Sequence, residues 1–147
     1  MPNPRTGVFP CYDNQFKIGD AGNDTPTTPI ANCEEFSVSF DNGVEEWTPF
    51  ESEGWKHRLM TSKSLSISVK AKRTLGDAGN DLVAGMMLSN GRSCEKNFLW
   101  TFPDGSTLLL KNAVISVTAN SGGASANVAP LEFTVMSNGK PVYTAVA

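Results

Sequence analysis

A mainly β fold, an antiparallel β-sandwich or barrel with one flanking α-helix at about residues 78–90, is the class this 147-residue sequence predicts. Three observations carry that prediction. From Ser64 to Lys72 the alternation is strict: Leu65, Ile67, Val69 and Ala71 fall on one side, Ser64, Ser66, Ser68, Lys70 and Lys72 on the other. The same two-residue period recurs in Glu34–Phe40 and in Phe98, Trp100 and Phe102. Only the segment near 78–90 carries apolar residues at helical spacing.

In chain order, residues 1–33 are rich in Pro, Gly, Asn and Thr and read as an extended N-terminal arm or loop with a short strand at Phe16–Ile18. Residues 34–147 read as a single β domain. In Glu34–Phe40, Phe36, Val38 and Phe40 face one way and Glu35, Ser37 and Ser39 the other. Asp41-Asn42-Gly43 then predicts a tight hairpin turn, because Asn and Gly tolerate positive φ, with a return strand at Val44–Thr48 closed by Pro49. Residues 50–63 are expected as a polar connection bearing Trp55. After the 64–72 strand, Asp77 is placed to cap the helix, Leu82, Val83, Met86 and Met87 form its apolar stripe, and Asn90-Gly91 supplies the stop. Pro103-Asp104-Gly105 reads as a turn. Leu108–Thr118 is a long strand, apolar on both faces at Leu108–Leu110, followed by the Gly/Ser loop Asn120–Asn127. Val128–Met136 is the next strand, and Asn138-Gly139 predicts a second Asn-Gly turn before a return at Val142–Val146.

At 39% hydrophobic and 18% charged residues, the composition excludes a disordered chain, and no apolar run approaches the ~20 residues that span a bilayer. No apolar segment follows Met1–Arg5, so no secretory leader is expected. Cys11, Cys33 and Cys94 are odd in number and form no CxxC; free thiols in a reducing cytoplasm are expected. His57, flanked by bases, reads as a surface residue. GxSxG, HExxH and Gly-rich phosphate loops are absent. Glu34-Glu35 and Glu45-Glu46 are strand neighbours that point to opposite faces and cannot converge as an acid–base pair. No catalytic, cofactor or metal residue is assigned, and an enzyme is not expected. Gly19–Asp24 and Gly76–Asp81 both spell GDAGND, which approaches the calcium nonapeptide of β-helical repeats. Asp20 and Asp77 replace its second glycine and the copies lie 57 residues apart, so turn and helix-cap roles for Asp77 and Asp81 are expected instead.

Charge is unevenly spread. Residues 1–54 hold ten acids and two bases, net −8, and residues 55–147 five acids and ten bases, net +5, six of these bases lying between Lys56 and Arg73. This split predicts a dipolar subunit whose ends attract one another.

From Gly43 onward the sequence resembles the tail tube proteins of tailed bacteriophages, kin to type VI secretion tube proteins. The resemblance lies in Gly43-Val44-Glu45-Glu46-Trp47-Thr48-Pro49-Phe50, Glu53-Gly54-Trp55, Arg58–Thr61, Lys63–Ser68, Gly76–Asp81, Asn90-Gly91-Arg92, Trp100–Gly105 and Leu131–Pro141, about 100 residues in one order. It implies stacked hexameric rings forming a tube around a tape measure protein, later a conduit for DNA that passes without specific binding. It also implies tail terminator and baseplate or distal tail proteins as partners, no membrane, a place in the virion tail and assembly in the host bacterial cytoplasm. Within that reading Glu35 and Glu45 are the expected lumen-facing acids, and Glu51, Glu53, Trp55, Lys56, Arg58 and Leu109 the expected inter-subunit residues. The alternative is a monomeric β-sandwich module that binds carbohydrate, through Trp47, Trp55 or Trp100, or calcium, through the GDAGND loops; Trp100, alternating with Phe98 and Phe102, is expected in the core instead.

Overall fold

The computed structural model describes residues 7–21 and 26–145. Eight strands form one antiparallel sheet: β1 (Gln15–Asp20), β2 (Thr28–Pro29), β3 (Cys33–Trp47), β4 (His57–Lys72), β5 (Glu95–Thr101), β6 (Thr107–Asn120), β7 (Pro130–Met136) and β8 (Val142–Thr144). The order across the sheet is β2-β1-β5-β6-β7-β4-β3, with β8 pairing to β6 beyond the end of β7. The sheet curls until its two ends meet side chain to side chain. Phe16 of β1 packs edge-on against Phe36 of β3, with ring centroids 4.9 Å apart, and Trp100 of β5 closes on Phe36 at 5.8 Å. The core lies inside this curl, built from Ile18, Leu65, Ile67, Val69, Phe98, Leu110, Ile115, Leu131, Phe133 and Val135. Within β1, β4, β5 and β7 these positions follow the two-residue period, whereas in β6 Leu110 and Ile115 are five apart because the alternation resets at Asn112, which takes φ 53°. The segment expected as an arm therefore supplies an interior strand, β1, paired to β5 along its whole length.

The helix α1 (Ala78–Ala84) covers one end of the curl and buries Val83 and Ala84. It is shorter than the expected 78–90. Past Gly85 the bonds tighten to i→i−3, from Met86 N to Val83 O and from Met87 N to Ala84 O, which bends the path off the helix while Met86 still reaches the core. Gly79 is where α1 meets β2: a Cβ there would run into the Pro29 carbonyl oxygen and lie 2.9 Å from its carbon.

Neither of the Asn-Gly pairs expected as turns, Asn42-Gly43 and Asn138-Gly139, makes a hairpin. At Asn42-Gly43 the chain runs straight on. β3 is a single 15-residue strand in register with β4 from Cys33↔Ala71 to Trp47↔His57, with a register shift between Gly43 and Val44. The reversal falls at 48–56, where Glu53 and Gly54 take positive φ (54° and 89°) after one turn of 3₁₀ helix at Phe50–Ser52. The second half of the expected connection at 50–63, from His57 on, is therefore strand. At Asn138-Gly139 the chain also keeps its direction: β7 runs along β6 from Leu131↔Asn120 to Met136↔Val114, and β8 continues along it from Val142↔Leu109 to Thr144↔Thr107. The last residues of the expected return at 142–146 lie outside the described residues.

Candidate functional site

β4 pairs with β7 only over Ser66–Lys72. At Leu65 the two strands part, and Ser137 holds the corner, its backbone N–H donating to Leu65 O at 2.8 Å and its Oγ accepting from Leu65 N at 2.9 Å. Beyond that corner β3 and β4 leave the sheet as a two-stranded ribbon, with Asp41–Trp47 paired to His57–Ser64. Every β4 residue from His57 to Ser64 is exposed. The ribbon, its root and its tip carry large apolar side chains into solvent, among them Phe40 at the root and Leu59 (each 60% exposed), Trp55 (78%) and Phe50 (104%), together with Val44, Trp47 and Met60. Trp47 stacks on His57 at 5.8 Å, which stiffens the outer end. An apolar surface of this extent is the mark of an interaction site.

The outer face of the sheet next to the ribbon is of another kind. Residues directly opposite in register share a face, so Ser37, Ser68, Thr134 and Ser116 form one hydroxyl row across β3, β4, β7 and β6, with Ser68 and Thr134 oxygens 3.4 Å apart. The adjacent row is Glu35, Lys70 and Glu132. Lys70 Nζ lies 3.6 Å from Glu35, and Lys72 Nζ 3.3 Å from Glu34. This surface is hydrophilic and internally charge-paired.

The residues singled out from the sequence separate into distinct places. Glu35 is on the hydroxyl-bearing face, opposite Lys70, so any bore that Glu35 faces also receives Lys70. Glu45 lies on the exposed ribbon opposite Leu59. Glu51, Glu53 and Trp55 sit together at the exposed ribbon tip. Lys56 and Arg58 stand just behind the tip, each 3.5 Å from a Glu46 oxygen of the same chain. The sequence-level charge split is thus partly offset within the chain: Glu34, Glu35 and Glu46 of β3 pair with Lys72 and Lys70 of β4 and with Lys56 and Arg58. Leu109 is 9% exposed and sits in register between Leu99 of β5 and Val142 of β8, while its neighbour Leu110 faces the core. The strand is apolar on both faces as expected.

The second GDAGND copy forms a polar knot at the α1 end. Asp77 Oδ2 accepts from Asn80 N at 3.0 Å and from Ala31 N at 3.1 Å. Asp81 takes Arg73 at 2.7 Å and Gly76 N at 3.2 Å. Both carboxylates thus serve as caps and struts, as expected for turn chemistry. In the first copy Asp20 meets Lys96 at 3.5 Å, and Gly22, Asn23 and Asp24 lie outside the described residues. Trp100, expected in the core, is half-buried, with its Nε1 donating to Asn14 Oδ1 at 2.9 Å.

A groove of about 750 Å³ opens where the ribbon splays from the sheet, walled by Phe40, Leu65, Phe102 and Leu108. Sequence reading missed it because its walls come from β3, β4, β6 and the turn after β5, and their meeting is a product of topology.

No protein-family model matches the chain, and no curated protein matches it. Solved structures do. The chain aligns with a chain of the tail of an empty gene transfer agent particle, refined helically with C6 symmetry, at a TM-score of 0.73 and 20% identity, over 94% of this chain and 100% of that one. A chain from the native gene transfer agent virion aligns at 0.70 and 20%, over 94% and 100%. A chain of the PVC sheath–tube complex, from an extracellular contractile injection system in its extended state, aligns at 0.62 and 20%, over 95% and 93%. The chain has the fold of these tail and sheath–tube components.

Proposed function

We propose that this protein is a structural tail tube subunit that assembles with copies of itself into rings, six to a ring, which stack into the tube of a phage-type virion tail. The observation that carries the reading is the projecting β3–β4 ribbon. A monomer that exposes Phe40, Val44, Trp47, Phe50, Trp55, Leu59 and Met60 on one extension keeps a surface that other subunits are suited to cover. Among the described residues no strand pairs with the outer edge of β3 over the same length, and a neighbouring subunit in a ring would cover it. The match to a C6-symmetric tail over nearly the whole chain supports the same reading and the six-fold count.

Within that tube the hydroxyl row and the Glu35–Lys70–Glu132 row suit the bore. Hydroxyls and paired charges hold water and leave few unpaired cations for phosphate, so DNA slides past without the salt-dependent grip that free Lys or Arg would add. Glu35 keeps its lumen-facing assignment, now as half of a neutral pair, and Glu45 moves to the ribbon with Glu51, Glu53, Trp55, Lys56 and Arg58 as inter-subunit residues. A tape measure protein inside, and terminator and baseplate or distal tail proteins at the ends, complete the set of partners, with assembly in the host bacterial cytoplasm. The role is structural and non-enzymatic.

The test is light scattering after size-exclusion chromatography, with negative-stain microscopy, on the purified full chain over a concentration series. Rings or tubes of regular diameter and six-fold class averages are expected. A protein that stays monomeric at every concentration removes the proposal and favours the monomeric binding module.

A further inference from the structure

The inference here rests on the tube-subunit reading and names the contact that would join copies. The ribbon tip combines a fully exposed aromatic, Phe50, with two acids, Glu51 and Glu53, and its nearest base, Lys56, is already held by Glu46. The groove at the ribbon root has the opposite character: Phe40, Leu65, Phe102 and Leu108 wall it, Lys63 and Lys140 rim it, and none of the described residues lining it is an acid. Its volume of about 750 Å³ lies within the range of pockets that enclose a group of drug size, enough for one aromatic ring and its flanking backbone.

Tip and groove cannot meet within one chain. Phe40 at the groove and Trp47 at the ribbon end are seven residue steps apart along the strand, about 23 Å at ~3.3 Å per step, and the cross-strand pairing with β4 holds that distance open. We propose that the groove receives the ribbon tip of a second copy, with Phe50 as the apolar anchor and Glu51 and Glu53 paired to Lys63 and Lys140. The two surfaces differ, so the contact is heterologous: each subunit offers a tip and a groove, and the contact repeats around a ring or along a stack. The aromatic anchor in a desolvated pocket supplies most of the affinity, and the charged rim sets the orientation.

The experiment places a photo-crosslinking benzoylphenylalanine at position 50 of the full chain and irradiates assemblies made from mixed ¹⁴N and ¹⁵N protein. Adducts between copies on peptides containing Lys63–Leu65, Phe102–Leu108 or Lys140 are expected. In parallel, Phe50→Ser is expected to raise the concentration needed for assembly by about tenfold or more without moving the Tm. The double change Glu51→Lys, Glu53→Lys is expected to weaken assembly, and adding Lys63→Glu and Lys140→Glu to the same chain to restore it. Inter-copy adducts elsewhere, or an unchanged threshold in Phe50→Ser, overturn the tip-in-groove contact while leaving the tube reading intact. Wild-type protein that forms no rings or tubes overturns both.

Discussion

Asn80 is fully buried and uses its whole amide. Its Oδ1 accepts from Arg73 at 2.9 Å and from Thr74 N at 3.0 Å, and its Nδ2 donates to Lys72 O at 2.9 Å and Ala31 O at 3.4 Å. Asn80→Ala leaves these partners without their bonds in a dry site and is expected to cost about 2–3 kcal/mol, read as a lower urea midpoint with an unchanged slope. Gly79 next to it is required by space, since a Cβ would meet the Pro29 backbone, which cannot rotate away. Gly79→Ala is expected to destabilise by about 1–3 kcal/mol even though alanine is the better helix former, and a Tm equal to or above wild type contradicts this packing. Cys33 tests burial by titration. Desolvation first, and the Asp77 carboxylate second, push its thiol from 9.0 to about 11. The folded state then keeps a proton that the unfolded chain releases. The associated stability is complete below pH 9 and is lost as pH rises through 11. The Tm is expected to fall more steeply over that window in wild type than in Cys33→Ala, and parallel curves refute the shift.

The elements were legible where a side-chain period governed them and misread where turn chemistry did. Asn42-Gly43 has the composition of a hairpin turn, yet pairing along the full length of β3 and β4 satisfies far more backbone groups than a four-residue local hairpin. The glycine's use there is to let the Ser62 side chain approach, since a Cβ at Gly43 would overlap the Ser62 hydroxyl. Asn138 likewise serves a bond, from its Nδ2 to Asn112 O at 3.2 Å across the interruption between β7 and β8. The ribbon makes no ladder with β7, so the curl should stand without it. Replacing residues 43–62 by a two-residue Asn-Gly turn that joins Asn42 to Lys63 is expected to give a folded monomer with a Tm within about 5 °C of wild type and no tubes. A shortened chain that still assembles, or one that fails to fold, shows that the ribbon is not a separable assembly element.

Across the whole molecule, the ion pairs Glu34–Lys72, Glu35–Lys70 and Glu46 with Lys56 and Arg58 set three acids of β3 against bases of the same chain. All are well exposed, and such pairs are worth about 0–1 kcal/mol each. Raising salt from ~0.05 to ~0.5 M is therefore expected to move the Tm of the isolated subunit by less than about 5 °C, because screening removes only these small terms. A large salt-induced drop would show that the subunit's charges act over longer range than this pairing allows.

What the sequence by itself determined is the strand-rich class and the inward set, because a two-residue period fixes which side chains share a face whatever the neighbours are. Leu65, Ile67, Val69 and Phe98 were readable in this way, as was the capping role of Asp77, which depends on residues three positions apart. Free tertiary choices were decided elsewhere. That β1 joins the sheet, that β3 outruns its Asn-Gly pair, that acids on β3 find bases on β4, and that a groove forms where β4 leaves β7 all depend on which strands become neighbours. Such pairings are set by summed burial and hydrogen bonding over segments up to 86 residues apart, as in the Asn14–Trp100 bond, and no local pattern encodes them.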